Sequence, residues 1–184
     1  MSDKDNKSIE FIRGSELEEA LSLGYRQYLT GHLSIPQPHL KHIDADIEVG
    51  TSVYREFTAD KPHVHPVCTE YNCVLSGAVR LLDISAGEEH EFCAGDFWVL
   101  RPGTPYATKN AAGTRVLFIK APSENDKMLV EVDEGLRRWL SCWEAHYGCE
   151  PEDKPAGEPE GSTTDEPEGE LTDEPAGGLG REAE

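Results

Sequence analysis

The sequence predicts an all-β protein, a sandwich or barrel of short strands over residues 46–120 with brief helical segments on either side. Three observations carry this. Bulky and apolar residues alternate with polar ones in short runs, each run closes at a turn built on Gly or Pro, and no long helical pattern interrupts the series.

The first residues, 1–14, are polar and are expected to be flexible. Ser15-Glu16-Leu17-Glu18 has capping-box spacing, and with Ala20, Leu21 and a stop at Gly24 it predicts a short helix from about residue 16 to 23. With so few apolar positions, that helix has to pack on something larger. Tyr25 to Lys41 carries Pro36 and Pro38 and reads as an irregular or edge segment. His32, His39 and His42 fall in or beside it at spacings that match no compact metal motif, so they read as surface histidines.

Strand patterning begins near Asp46 and runs through Val49, Thr51, Val53, Arg55 and Phe57 to a break at Asp60-Lys61-Pro62. Tyr71 to Leu75, Val79 to Ile84, Glu89 to Cys93, Phe97 to Leu100, Tyr106 to Lys109 and Thr114 to Lys120 follow as strands. Ser76-Gly77, Ser85-Ala86-Gly87-Glu88, Ala94-Gly95-Asp96, Pro102-Gly103 and Asn110-Ala111-Ala112-Gly113 separate them as turns. Between Asp133 and Trp143, Leu136, Trp139, Leu140 and Trp143 recur at helical spacing, an apolar stripe suited to covering the barrel or a dimer partner.

Beyond Cys149 the composition turns to Glu, Pro, Gly, Asp and Thr, with an octad beginning at Thr164 and again at Thr172. Such a segment buries too little to offset its ordering entropy and is expected to be a disordered, solubilising tail. The chain thus divides into a flexible start (1–14), a helix with an edge segment (15–45), the barrel (46–121), a helical segment (122–149) and the acidic tail (150–184).

Charge follows the same division. Of the net −19, thirteen Asp and Glu against Lys154 and Arg181 place −11 in residues 150–184 and leave −8 for the rest. An acidic body argues against nucleic-acid binding, which needs clustered Lys and Arg. No apolar run approaches the roughly 18 residues of a membrane span, and the start lacks the apolar core of a signal peptide, so a soluble, cytoplasmic protein is expected. Cys68, Cys73, Cys93, Cys142 and Cys149 are odd in number and show no C-x-x-C spacing, so reduced thiols are expected, as core filler everywhere except Cys68.

His63-Val64-His65 with Glu70 marks the chemistry. On an extended chain alternate residues face one way, so both imidazoles and the carboxylate can project onto one surface. The full pattern, His-x-His, four residues, Glu, six residues, Gly, is met by His63, His65, Glu70 and Gly77 and resembles the first signature of the cupin superfamily. Gly95, Asp96, Gly103 and Asn110 fall in register with its second signature. Arg101 stands at the expected Pro, followed by Pro102, and Tyr106 stands at the last metal-binding His.

The resemblance implies a small cupin jelly-roll barrel, a homodimer, and a divalent metal held by His63, His65 and Glu70, with Fe, Mn, Ni and Zn all suited to a 2-His-1-carboxylate set. Tyr106 can coordinate the metal, move a proton to or from substrate beside a three-ligand metal, or mark a site of reduced affinity; the second fits best because the other three ligands stay in register. A small polar substrate is implied, with isomerase, lyase, decarboxylase and oxygenase chemistry all open. The other reading is a barrel that binds or senses a small molecule without turnover, the same cluster forming a polar wall. Strand alternation adds Asn72 and Thr108 as substrate-binding candidates. Among Arg55, Arg80, Arg101 and Arg115, Arg101 is the expected anion clamp at the barrel mouth.

Overall fold

The computed structural model describes residues 9–148. The expected flexibility of residues 1–8, the disordered tail over 150–184 and Cys149 lie outside the described residues. The strands are β1 (Arg26–Thr30), β2 (Glu48–Tyr54), β3 (Thr58–Ala59), β4 (His63–Val64), β5 (Thr69–Ser76), β6 (Ala78–Asp83), β7 (Glu88–Cys93), β8 (Phe97–Leu100), β9 (Tyr106–Asn110), β10 (Thr114–Ala121) and β11 (Met128–Leu129). They form two antiparallel sheets, one ordered β1-β2-β10-β5-β8 and the other β11-β4-β9-β6-β7 with β3 on β9. Neighbours distant in sequence, such as β2 beside β10, make this a cupin-like jelly roll.

Period-two patterning sets which side chains enter the barrel. On β10, Thr114, Val116, Phe118 and Lys120 are buried, and the residues between them are half-buried on the outer face. Tyr54, Val74, Val79, Leu81, Trp98, Leu100, Tyr106 and Val116 form the inner core, with Phe92 stacked on Trp98 at 4.4 Å between centroids. Each large apolar side chain fully buried there contributes about 1.5–3 kcal/mol. The turn after β5 needs Gly77: its φ is +78°, and an added Cβ would lie 2.6 Å from the Thr114 Cα.

All five residues of β9 are buried, because its outer face is covered as well. Helix α2 (Glu134–Ser141), capped by Asp133 accepting the Leu136 N–H at 2.7 Å, lays Leu136 and Trp139 on Leu82 and Ala107. Lys109 is fully buried beneath it. Its ammonium donates to the carbonyls of Cys142 (3.0 Å), Trp143 (3.1 Å) and Ala145 (2.6 Å) and lies 4.5 Å from the Trp139 ring centroid. Trp139 donates its indole N–H to Glu89.

Several local expectations are corrected. Helix α1 (Gly14–Leu23) begins before the Ser15 box, because Glu16 accepts the Arg13 N–H at 3.0 Å and moves the cap two residues earlier. Residues 26–30 agree with the edge alternative of their expectation: they form edge strand β1, which bonds to β2 and brings Arg26 to the cavity. Cys93, at the end of β7, and Cys142, just after α2, are exposed rather than core filler, and of the described cysteines only Cys68 is fully buried.

Candidate metal centre

Strand β4 pairs with β9 through His63 and Tyr106, and Glu70 lies near the start of β5; the barrel brings all three to one point. One ligand atom from each of His63, His65 and Glu70 lies within 4.8 Å of the others. The two imidazole planes are nearly perpendicular at 89°, with centroids 5.1 Å apart. Both histidines are buried.

Hydrogen bonds fix how the rings face. His63 Nδ1 lies 2.7 Å from the Lys61 carbonyl, which only accepts, so the proton is on Nδ1 and Nε2 keeps its lone pair. His65 Nδ1 lies 2.6 Å from Asp126 Oδ1. The same carboxylate accepts the backbone N–H groups of Val67 and Cys68, each at 2.9 Å. Burial works to raise the Asp126 pKa, but these donors outweigh it and hold it below the usual carboxylate range, so His65 Nδ1–H also donates. Burial, then the charge of Lys127, lowers the His63 pKa to about 4, which keeps this imidazole neutral as a ligand must be.

Tyr106 Oη completes the cluster, 2.7 Å from His63 Nε2 and 2.9 Å from Glu70 Oε2. Both are acceptors for a single phenolic proton. Burial and then the Glu70 charge push the Tyr106 pKa well above its ordinary value, so the proton stays on the phenol. His65 Nε2 points at Glu70 Oε2 from 3.4 Å, and Asn72 donates to Glu70 Oε1 at 3.0 Å. Two imidazoles with a carboxylate converging on one point suit a divalent cation. The residues fit the implied metal, with Lys61 and Asp126 orienting the rings from behind.

The cluster opens into a cavity of about 390 Å³, which Asn72 and Thr108 also line. Thr108 donates to Asp60 at 3.3 Å. Asp60 also accepts from the Tyr54 hydroxyl at 2.7 Å and lies 3.5 Å from Arg26, whose Nε donates to Ser52 at 2.8 Å. Arg101 is corrected as the cavity arginine. It follows inward-facing Leu100 at the end of β8, so alternation turns it outward, where it is exposed and away from the cavity lining. Arg80 and Arg115 pair with Glu91 and Glu18, and Arg55 donates to the Leu21 carbonyl.

Cys68 does not line the cavity. Its thiol donates to the Pro122 carbonyl at 3.1 Å, and burial with the Asp126 contact raises its pKa to about 11, so it stays protonated. Sequence patterning missed Asp126, Arg26 and Lys127. Alternation along β1, where Arg26 and Tyr28 both reach the cavity, was the available signal for Arg26. Nothing in Ser123-Glu124-Asn125-Asp126-Lys127 distinguishes it from an ordinary polar loop.

Residues 52–120 match the family model for the cupin domain. No curated protein matches the sequence. Similar solved structures include a conserved protein with a double-stranded β-helix domain from Klebsiella pneumoniae, 22% identical over 47% of this chain and 76% of that one, with a TM-score of 0.42. KdgF from Halomonas sp. is 18% identical over 55% of this chain and 80% of that one, with a TM-score of 0.41. Oxalate decarboxylase from Bacillus subtilis is 17% identical over 46% of this chain and 24% of that one, with a TM-score of 0.40. Among the described residues, no helix is long and apolar enough to cross a membrane.

Proposed function

We propose that this cupin is a metal-dependent enzyme acting on a small polar molecule inside the barrel. His63, His65 and Glu70 would hold a divalent Fe, Mn, Ni or Zn ion, and Tyr106 would move the proton. The observation that carries the reading is the shared phenolic proton: Tyr106 Oη lies within hydrogen-bond distance of two atoms that a metal would claim, His63 Nε2 and Glu70 Oε2.

When bound, a divalent ion supplies Lewis acidity toward a substrate oxygen. With His63 Nε2 and the Glu70 carboxylate so engaged, the Tyr106 O–H loses both present acceptors and is free to donate to substrate. Asn72 holds the Glu70 carboxylate in place, and Asp126 holds the His65 ring. The cavity volume suits a small molecule.

A second reading is favoured by the same contact. Tyr106 offers its single proton to His63 or Glu70 without an ion, as the polar wall of a metal-free binding pocket would. Element analysis of the full chain after anaerobic reconstitution with Fe(II), Mn(II), Ni(II) and Zn(II), followed by gel filtration, separates the two. Retention of about one equivalent of at least one metal supports the enzyme reading. Retention of none overturns it in favour of the metal-free pocket.

A further inference from the structure

We propose that the molecule taken into the cavity is a small organic anion, a carboxylate or phosphate ester, whose charge is met by Lys127 at the cavity wall. This rests on the metal-dependent reading above and names its substrate class. Five charged side chains line the cavity: Arg26, Glu48, Glu70, Lys120 and Lys127. Lys120 lies 3.3 Å from Glu48, and Arg26 lies 3.5 Å from Asp60 and is also hydrogen-bonded to Ser52 and Tyr54. Glu70 belongs to the metal set. Among the described residues, no carboxylate comes within 4.0 Å of the Lys127 ammonium.

The balance of charge follows. A divalent ion on the imidazoles and Glu70 keeps one positive charge, which Asp126 behind His65 offsets, and Lys127 adds another that no carboxylate within 4.0 Å neutralises among the described residues. In a partly enclosed cavity such an excess favours an anion over a neutral or cationic ligand. The position of Lys127 is fixed by its loop. Asp126, the preceding residue, holds His65; Ser123 Oγ accepts the His32 N–H at 2.7 Å, and Asn125 donates to the His32 carbonyl at 3.0 Å. One short stretch of chain therefore orients a metal ligand and presents the charge for substrate.

Isothermal titration of the Mn(II)-treated full chain with malonate, methyl phosphate and neutral malonamide tests this, metal content being measured on the same samples. Malonate or methyl phosphate is expected to bind and malonamide is not, and the stronger anion shows which anionic group the site takes. Lys127→Gln should weaken anion binding about tenfold or more, Lys127→Arg should restore most of it, and Arg101→Gln, an exposed control, should leave it unchanged. Equal binding of malonamide, unchanged binding by Lys127→Gln, or binding of neither anion overturns the inference. If no metal is retained, the metal-dependent reading fails by itself, and the same Lys127→Gln comparison on metal-free protein still decides between anion recognition and none.

Discussion

The carboxylate of Asp126 accepts a 2.6 Å hydrogen bond from Nδ1 of His65, joining residues 61 positions apart and holding the imidazole with Nε2 turned toward Glu70. A loop far along the chain thus sets the orientation of a residue in the cupin motif.

Asp126→Asn should therefore weaken metal retention by about tenfold to a hundredfold while leaving the His63, His65 and Glu70 set intact. Competition with a chelator measures this. Retention equal to the unmodified protein would show that the carboxylate does not orient the ring.

Acid should act on the same carboxylate. Its pKa is held below the ordinary aspartate value of 3.8, so its contribution to stability is present above that pH and is lost as pH falls through the depressed folded value. Denaturant unfolding across this range should show an acid-side loss that Asp126→Asn reduces. An identical acid profile in the variant counts against the assignment.

His63 produces a second pH dependence with its own window. Its folded pKa of about 4 lies below the ordinary 6.5, so between these values the unfolded chain binds more protons than the folded one. Stability of metal-free protein should rise from pH 4 to 6.5 and level off above, with a smaller slope in His63→Gln. Melting temperature against pH reads this, and an unchanged slope in the variant contradicts it.

Lys109→Met removes three charge-assisted hydrogen bonds to the segment after α2 and leaves the carbonyls of Cys142, Trp143 and Ala145 without that donor. The expected cost is about 2 kcal/mol or more in denaturant unfolding, with faster amide exchange in α2. Unchanged exchange there would contradict the role given to Lys109.

The barrel and the convergence of His63, His65 and Glu70 were legible in the sequence because both rest on local rules. Period-two alternation placed β5, β6, β8 and β10, and the spacing of His63, His65, Glu70 and Gly77 carries a geometry that an extended strand and a left-handed turn enforce. Arg101 misled because proximity to a motif does not set the face of the strand, and Leu100 had already taken the inward position. Asp126 and Lys127 were illegible because their roles come from a tertiary approach of the β10–β11 loop that no local pattern encodes. Thr108 and Asn72 reach the cavity by alternation, yet their partners, Asp60 and Glu70, come from other positions along the chain or the strand face.

Metal content of the reconstituted full chain, compared among the unmodified protein, His63→Ala and Tyr106→Phe, tests the centre most directly. The expected result is about one equivalent in the unmodified protein and in Tyr106→Phe, and almost none in His63→Ala. Loss in both variants would make Tyr106 a ligand, and retention by His63→Ala would contradict the centre described here.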